Sequence, residues 1–361
     1  MRLEENGREW EAALRPPQAP PRVKALESCG DARWDDYVFA HPDATFFHRA
    51  GWEEVIRDAL GHRTHFLYAE DEYGALAGVL PLAEVRTLLF GRALVSLPCC
   101  VYGGLLADNA EARRALDEAA QSLAARLGVD HLEYRHRQPV HPEWHGKDLY
   151  YAFRKGIEPE VEANLQAIPR KQRRMVRQGA KAGLVAEEDA GIERFFPIYA
   201  ANVHRLGTPV FSRKYFERLR AVFGEECRVL TVSRGGEAVA SVMTFYFRDE
   251  ILPYYGGGAP AARRMAAYDF MYWELMRRGC EAGYRVFDFG RSKHGTGSFS
   301  FKKNWGFEPR RLYYEFQLHR GRAVPDHNPL NPRYQRLIRM WRRLPLPVAN
   351  WLGPKIVRGL G

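Results

Sequence analysis

One order of predicted elements occurs twice along this 361-residue chain. In each half, extended apolar runs lead to a glycine-containing turn, then to a helix and one further strand. The first half closes with helix 110–127 and strand 131–135, and the second with helix 268–280 and strand 285–289. Two such plans in series predict a tandem α/β fold, in which each half is a mixed twisted sheet flanked by helices.

The length is comfortable for two domains of about 150 residues each. We predict a disordered leader at 1–23, a first domain at 24–155, a second domain at 156–325 and a basic tail at 326–361. The leader has no apolar core, so we do not expect it to be an export signal. No run of 18 apolar residues is present, so we expect no bilayer span and a soluble or peripheral protein. The odd number of cysteines, without a C-x-x-C pair, favours a reduced, cytoplasmic setting.

Cysteine and histidine spacing indicates neither disulfides nor a metal. The five cysteines are scattered and include no C-x-x-C pair. Four histidines lie close together in sequence: His131, His136, His141 and His145. Pro139 and Pro142 would break any helix that aligned them, and no ligand spacing fits zinc. The sequence predicts no metal site and no bound cofactor.

The segment 284–307 carries the most chemistry. An apolar strand ends on Asp288 and Arg291, and a Gly/Ser loop then opens onto Lys302 and Lys303 between aromatic residues. Such a strand end can gather a fixed positive charge, a carboxylate and free backbone N–H groups in one place. These groups suit the binding of a phosphorylated substrate or the stabilisation of an oxyanion.

This segment, F-D-F-G-R-S followed by G-T-G-S-F-S-F-K-K-N-W-G-F, resembles the C-terminal signature of FemAB-type transferases. These proteins contain two domains of the GNAT acetyltransferase fold in tandem. The similarity extends over about residues 40–318 and includes, in family order, the segments 45–52, 165–183, 202–209 and 253–258. The nearest look-alikes are the FemAB-like proteins found with PEP-CTERM/exosortase and exopolysaccharide loci.

The resemblance implies acyl or aminoacyl transfer to a nucleotide- or lipid-linked sugar or muropeptide precursor in cell-envelope or exopolysaccharide assembly. Acetyl-CoA users carry a Q/R-x-x-G-x-G/A loop that grips the pyrophosphate, and the run GGGAPAARRMAA does not match it. The resemblance therefore points to aminoacyl-tRNA as donor, with an acyl thioester, from acyl-CoA or an acyl carrier, as the alternative. A non-catalytic scaffold that binds the precursor is the alternative from another class.

Lys302, Lys303 and Asp288 are the catalytic candidates. The resemblance favours Lys302 over Lys303 for stabilising transition-state charge, and a surface hairpin with a snorkelling lysine is the alternative. Asp288 could take a proton from an attacking amine or only cap the following turn. Arg291 and Ser292 lie beside the Gly/Ser loop, where a guanidinium suits phosphate recognition.

Further substrate-binding candidates lie outside this segment. Tyr254 and Gly257 belong to the glycine turn and would line the acceptor pocket, with packing as an equal alternative. Tyr102 precedes a glycine break at the end of the first domain's strands, and we expect it near the cleft.

Arg173 and Arg177 belong to a helix face of one charge sign. Its members are Arg170, Arg173, Arg174, Arg177 and Lys181, and no acid occurs between Glu162 and Glu187. Such a stripe favours a polyanion, either a nucleotide diphosphate, a lipid pyrophosphate or an RNA backbone. A solvated helix face is the alternative, although such faces normally mix signs.

The net charge of +10 is concentrated in the tail. After Asp326 there is no acid, and the cations are Arg333, Arg336, Arg339, Arg342, Arg343, Lys355 and Arg358. In 333–344, one helical arc carries Leu337, Met340, Trp341 and Leu344, and the opposite arc carries the arginines. This pattern predicts either a helix in an anionic membrane interface, which would make the protein peripheral at the inner face of the membrane, or a helix docked on the body.

Overall fold

The computed structural model of the protein describes residues 20–87, 91–319, 323–324 and 332–359. Its first sheet contains β1 Arg22–Ala25, β2 Arg63–Glu70, β3 Leu76–Thr87, β4 Gly91–Ser96, β5 Leu106–Ala107, β6 His131–His136, β7 His145–Gly146 and β15 Tyr313–Leu318. The strands lie in the order β1-β2-β3-β4-β6-β15-β7, with β5 paired to β3. The predicted leader lies outside the described residues up to position 19, and β1 begins at Arg22 within its last residues.

The second sheet is also mixed. Its strands are β8 Tyr150–Gly156, β9 Leu184–Asp189, β10 Cys227–Arg234, β11 Glu237–Phe247, β12 Glu250–Gly258, β13 Val286–Lys293 and β14 Pro309–Arg311. They lie in the order β14-β8-β13-β12-β11-β10-β9. The two mixed sheets confirm the predicted tandem α/β architecture.

Helices cover both sheets. They are α1 Ala32–Ala40, α2 Gly51–Val55, α3 Ala110–Leu127, α4 Val161–Ala167, α5 Arg170–Lys181, α6 Phe195–Leu206, α7 Arg213–Phe223, α8 Ala267–Glu281, α9 Gly297–Asn304, α10 Pro332–Trp341 and α11 Leu346–Val357. The bounds of α3 agree with the prediction because both of its ends are capped. The Asn109 side chain accepts the N–H of Ala112, and Gly128 adopts a left-handed conformation at φ 61°.

The two sheets exchange strands, which the sequence did not predict. β8 follows the first unit in the chain, but it pairs with β13 and β14 of the second sheet. β15 follows the second unit, but it pairs with β6 and β7 of the first sheet. The predicted boundary at 155/156 therefore falls within a strand of the second sheet, and the predicted second domain contains a strand of the first.

Each sheet splits next to its parallel strand pair. In the first sheet, β4 and β6 pair from Ala93 with His131 to Val95 with Glu133 and then separate. In the second, β12 and β13 pair only at Glu250 with Val286 and at Ile251 with Phe287. The strand ends beyond these pairs have lost one neighbour, so their backbone groups need other partners.

One aromatic core joins the two units. Phe46 stacks on Phe245 with ring centroids 4.4 Å apart, and Phe47 packs on Tyr254 with centroids 5.1 Å apart. Trp52 packs edge-on against Phe245 at 5.8 Å. Phe46, Phe47 and Trp52 come from the start of the first unit, whereas Phe245 and Tyr254 come from the second sheet, so buried aromatic contacts fix the units against each other.

Candidate active site

Lys302 binds the backbone of β13 in the second sheet. Its Nζ donates to three backbone carbonyl oxygens of β13, those of Phe289 at 2.6 Å, Gly290 at 3.2 Å and Arg291 at 3.0 Å. These carbonyls lie in the part of β13 that no longer pairs with β12. Burial lowers the pKa of Lys302 to about 7, and the nearby Asp288 carboxylate opposes that shift.

The two lysines do not converge. They lie on the helix α9, so the alternative of a surface hairpin is wrong. The helix forms here because the Thr296 side chain accepts the N–H of Phe299 and caps its start. Successive helical side chains point about 100° apart, so Lys302 reaches β13 while Lys303 is exposed.

Asp288 is fully buried at the same strand end. Its Oδ1 accepts the N–H of Gly290 at 2.7 Å, and its Oδ2 accepts the hydroxyl of Tyr102 at 3.0 Å. The first contact caps the turn after Asp288, which is one of the two roles that the sequence predicted for this residue. The second contact links Asp288 to the first unit. Burial raises the pKa of Asp288, so the carboxyl group holds its proton more tightly than an exposed aspartate does.

One peptide group connects Lys302 to Asp288. The carbonyl oxygen of Phe289 accepts from Lys302 Nζ, and the N–H of the same peptide, on Gly290, donates to Asp288 Oδ1. Gly290 has φ 64°, a left-handed conformation that glycine adopts without strain. The charge of the lysine therefore polarises the peptide that holds the carboxylate, which makes Lys302 a positioning residue for Asp288.

The Arg291 side chain is enclosed by aromatic residues. Its Nη1 donates to the Tyr314 hydroxyl at 2.7 Å, and the guanidinium lies 4.7 Å from the Tyr150 ring centroid and 5.6 Å from that of Tyr314. This aromatic enclosure differs from the expected contact with a phosphate. Ser292 is also buried, and its Oγ has no hydrogen-bond partner among the described residues.

Tyr254 and Gly257 are held by packing. The Tyr254 hydroxyl donates to the carbonyl of Cys99 at 3.3 Å. A Cβ at Gly257 would lie 2.9 Å from Tyr199 Cα and 3.1 Å from Asn202 Cβ, so α6 covers this face of the turn. Close approach of a helix therefore explains the glycine better than contact with a substrate does.

An open cavity of about 590 Å³ lies between the two units. Tyr102 lines it, and Asp288 lies directly behind the Tyr102 hydroxyl. The charged side chains of its wall are predominantly arginines: Arg113, Arg135, Arg137, Arg154, Arg310 and Arg311. Asp43 is the sole acid in this wall as the described residues define it. A wall of this composition suits an anionic ligand.

The arginines of the cavity differ in how far they are already neutralised. Arg135 is buried and donates to Glu133 at 2.8 Å and to the Cys100 carbonyl at 2.8 Å. Arg154 pairs with Glu250, but its buried Nε has no partner among the described residues. Arg113 and Arg310 have no carboxylate oxygen within 4.0 Å in the described part of the chain. These last two are available to bind an anion.

Two buried histidines complete the wall. His48 Nδ1 accepts the N–H of Thr45 at 3.0 Å, so its Nε2 carries the hydrogen that is donated to the Gly104 carbonyl at 3.1 Å. Burial lowers the pKa of His48 and of His136 to about 3, so both rings are neutral at physiological pH. A Cβ at Gly104 would lie 2.4 Å from the His136 ring, so only glycine fits there.

Of the residues in this wall, Tyr102 was predicted from the sequence as a site residue, and the arginines and histidines were not. The sequence did contain a signal for Arg135 and His136. These residues end β6 in the first unit, and β6 corresponds to β13, the strand that carries Asp288 and Arg291 in the second unit. The repeat of the element order could therefore have predicted that the end of β6 contributes to the site, as the end of β13 does. Among the described residues, no group of three His, Cys, Asp or Glu side chains is arranged to hold a metal ion.

Arg173 and Arg177 lie on α5, away from this cavity. The helix packs on α8 through its opposite face, where Gly179 approaches Phe270 so closely that a Cβ would lie 2.7 Å from Phe270 Cβ. Both arginines face solvent at least in part and, as far as the structure describes the chain, neither forms an ion pair. The stripe of one sign is therefore present as predicted and remains accessible.

Comparisons with known proteins agree with this fold. Residues 164–303, which include Asp288 and Lys302, match the acetyltransferase (GNAT) domain family. FemX superposes with a TM-score of 0.64 at 14% identity, over 89% of this chain and 100% of FemX. No curated protein matches the chain in sequence.

Two further solved structures resemble the chain at 14% identity and a TM-score of 0.55. One is a tandem GNAT protein from the clavulanic acid biosynthesis pathway, matched over 84% of this chain and 100% of that one. The other is the C-terminal domain of a putative lysylphosphatidylglycerol synthetase from Agrobacterium fabrum, matched over 81% and 93%. The chain therefore has a tandem GNAT-like fold, and its second unit matches the acetyltransferase domain family.

Proposed function

We propose that this protein is a FemAB-like acyltransferase. It transfers an acyl or aminoacyl group to an amine of an anionic acceptor, a nucleotide- or lipid-linked sugar or muropeptide precursor of cell-envelope or exopolysaccharide assembly. We place the reaction in the cytoplasm, at the inner face of the membrane. The observation that carries the proposal is the arginine-lined cavity, which lies beside the Asp288–Tyr102 pair in a tandem GNAT-like fold.

The cavity would bind the phosphate groups of the acceptor. Arg113 and Arg310 supply charges that no described carboxylate neutralises. Guanidinium groups bind phosphate oxygens in pairs of parallel hydrogen bonds, so a diphosphate held by several arginines would be fixed in orientation as well as position. The acceptor amine would then lie near Tyr102.

Tyr102 and Asp288 would remove the proton of the acceptor. The amine nitrogen forms a bond to the carbonyl carbon of the donor and passes a proton to the Tyr102 hydroxyl, which passes its own proton to Asp288 Oδ2. The bond between that carbonyl carbon and the donor oxygen or sulfur breaks, and the leaving group takes up one proton, which returns from Asp288 through the Tyr102 hydroxyl and leaves Asp288 as a carboxylate. Lys302 keeps Asp288 in place through the Phe289–Gly290 peptide.

Two features support an aminoacyl-tRNA donor over an acyl thioester. Tyr272 packs against both strands of the split, because a Cβ at Gly256 of β12 would lie 2.9 Å from its hydroxyl and its ring centroid lies 4.9 Å from that of Phe289 on β13. This packing leaves little room for a thioester arm. The accessible stripe on α5, which includes Arg173 and Arg177, suits an RNA backbone. Acyl-CoA or an acyl carrier thioester is the alternative donor.

A transfer assay with matched donors tests the proposal. The purified protein is incubated with nucleotide-linked or lipid-linked amino sugars and either aminoacyl-tRNA or acyl-CoA, and mass spectrometry measures the mass added to the acceptor. We expect transfer from aminoacyl-tRNA and weaker acceptor binding in the Arg113→Gln/Arg310→Gln variant. Arg263→Gln, an exposed arginine outside the cavity, is the matched control.

The scaffold alternative makes the opposite prediction in cells. A non-catalytic precursor-binding protein would keep its cellular function when Lys302 and Lys303 are both replaced by alanine, but would lose it when residues 327–361 are deleted. Loss of function in the double lysine variant, together with retained precursor binding, would support the enzyme.

A further inference from the structure

The basic tail docks on the body along both of its helices. On α10, Ile338 packs against Gly207, and the Trp341 carbonyl lies 3.1 Å from His204 Nε2. On α11, Gly353 packs so closely on Val210 that a Cβ would lie 2.9 Å from its backbone nitrogen and oxygen. The end of α11 reaches the first unit, where His62 Nε2 lies 2.8 Å from the Arg358 carbonyl. The tail is therefore anchored on both units.

The docked tail exposes large apolar side chains. Eight large hydrophobic side chains are exposed in the described parts of the chain, and five of them lie here: Leu206, Leu337, Met340, Val348 and Trp351. Leu206 lies next to the tail, because Arg342 donates to its carbonyl oxygen at 2.9 Å. A concentration of exposed apolar side chains in one region marks an interaction surface, whereas isolated ones do not.

Cations surround this patch. Arg336, Arg339 and Arg343 are exposed on α10 and the turn after it, and the tail from 332 to 359 contains no acid. On α11, Val348, Trp351 and Lys355 form one exposed stripe, with Lys355 Nζ 3.6 Å from the Trp351 ring centroid. In the described residues, none of the helices is long and apolar enough to cross a bilayer.

We propose that this patch, defined by Leu206, Leu337, Met340, Val348 and Trp351 with the arginines around it, binds the surface of an anionic lipid bilayer. Apolar side chains enter the boundary between headgroups and acyl chains, and the cations bind the lipid phosphates. A second copy of the chain does not fit, because it would bring two tails without acids into contact. The inference does not depend on the transfer reaction.

The orientation of the protein on the bilayer follows from the docking. Because the tail is held on both units by α6, Val210 and His62, the whole body would lie at a fixed angle to the membrane rather than on a loose tether. The two predicted alternatives for the tail thus describe its two sides. One side packs on the body, and the other side faces lipid.

Vesicle co-sedimentation of the full-length protein tests this surface. The vesicles contain phosphatidylcholine alone or equal parts of phosphatidylcholine and phosphatidylglycerol, and no donor or acceptor is added. We expect binding to the anionic vesicles that weakens with salt. Trp351→Glu should weaken binding by about tenfold, and each of Arg336→Gln and Arg343→Gln by about fivefold.

Val185→Glu is the matched control, because Val185 is 56% exposed on β9 and lies outside the tail. It should bind as the wild type does. Failure of the wild type to bind anionic vesicles would overturn the inference, as would equal binding by Trp351→Glu. Loss of self-association in Trp351→Glu, measured by light scattering without any vesicle binding, would assign the patch to a protein partner instead and also overturn it.

Discussion

Replacement of Asp288 by asparagine separates the two roles that the structure allows for this residue. Asparagine keeps the shape and can still accept the N–H of Gly290, so a turn cap survives the change. Its amide would donate to the Tyr102 oxygen and could not accept a proton from the Tyr102 hydroxyl. If Asp288 is the proton acceptor, Asp288→Asn should lose activity while keeping its fold.

The size of the expected loss follows from the role of the group. A positioned general base contributes about 10²–10⁴ in rate, which corresponds to about 3–5 kcal/mol of transition-state stabilisation. The effect of Asp288→Asn on the free energy of unfolding should be small, and the loss of the ionisable group should act to raise it at neutral pH. Because burial raises the pKa of Asp288, the folded protein holds this proton where the unfolded chain has lost it, so ionisation costs stability as the pH rises above 3.8. Asparagine removes that cost.

Two measurements check this reasoning. The rate of acyl transfer should fall about 10²-fold or more in Asp288→Asn. The free energy of unfolding at pH 7 should stay within about 1 kcal/mol of the wild type or exceed it. Asp269→Asn is the control, since Asp269 is also a buried carboxyl group with a raised pKa, but it holds Trp305 and Gln172 and does not contact Tyr102. Full activity in Asp288→Asn would refute the role of base.

Three further predictions concern the same region. The transfer rate should decline as the pH passes above about 7, where Lys302 loses its proton, and Lys302→Arg should lack that decline in a pH–rate profile. Gly104→Ala should lower the free energy of unfolding by roughly 1–3 kcal/mol, because its Cβ overlaps the His136 ring. In acid titrations, His48 and His136 should each lower stability by about 1.4 kcal/mol per pH unit as the pH falls from 6.5 towards 3, because the unfolded chain binds protons that the folded protein does not. His136→Phe should remove its share of that slope and leave the share of His48.

Local sequence signals predicted most of the elements. Asn109 and Gly128 fixed both ends of α3, and the apolar run at 268–280 became the buried helix α8. These features depend on neighbours in the chain, which a sequence displays directly. The strand exchange does not, because the residue patterns of Tyr150–Gly156 and Tyr313–Leu318 fit either sheet.

The candidate site was predicted only where it lies in one segment. Asp288 lies on β13 and Lys302 lies on the next helix, α9, so the two residues are close in the sequence motif as well as in the structure. The enclosure of Arg291 by Tyr150 and Tyr314 could not be predicted, because those rings come from the two exchanged strands. The cavity arginines were missed for the same reason, since they are scattered from 113 to 311.

The crossing of β8 and β15 makes the halves of this protein mutually dependent. A fragment ending before Tyr150 would leave the β6 edge bare, and a fragment starting after Gly156 would leave β13 without its neighbour. Neither half should therefore be soluble alone, although the two produced together could reassemble by complementation. The arginine-lined cavity would form only when the two halves reassemble, because each half supplies part of its wall.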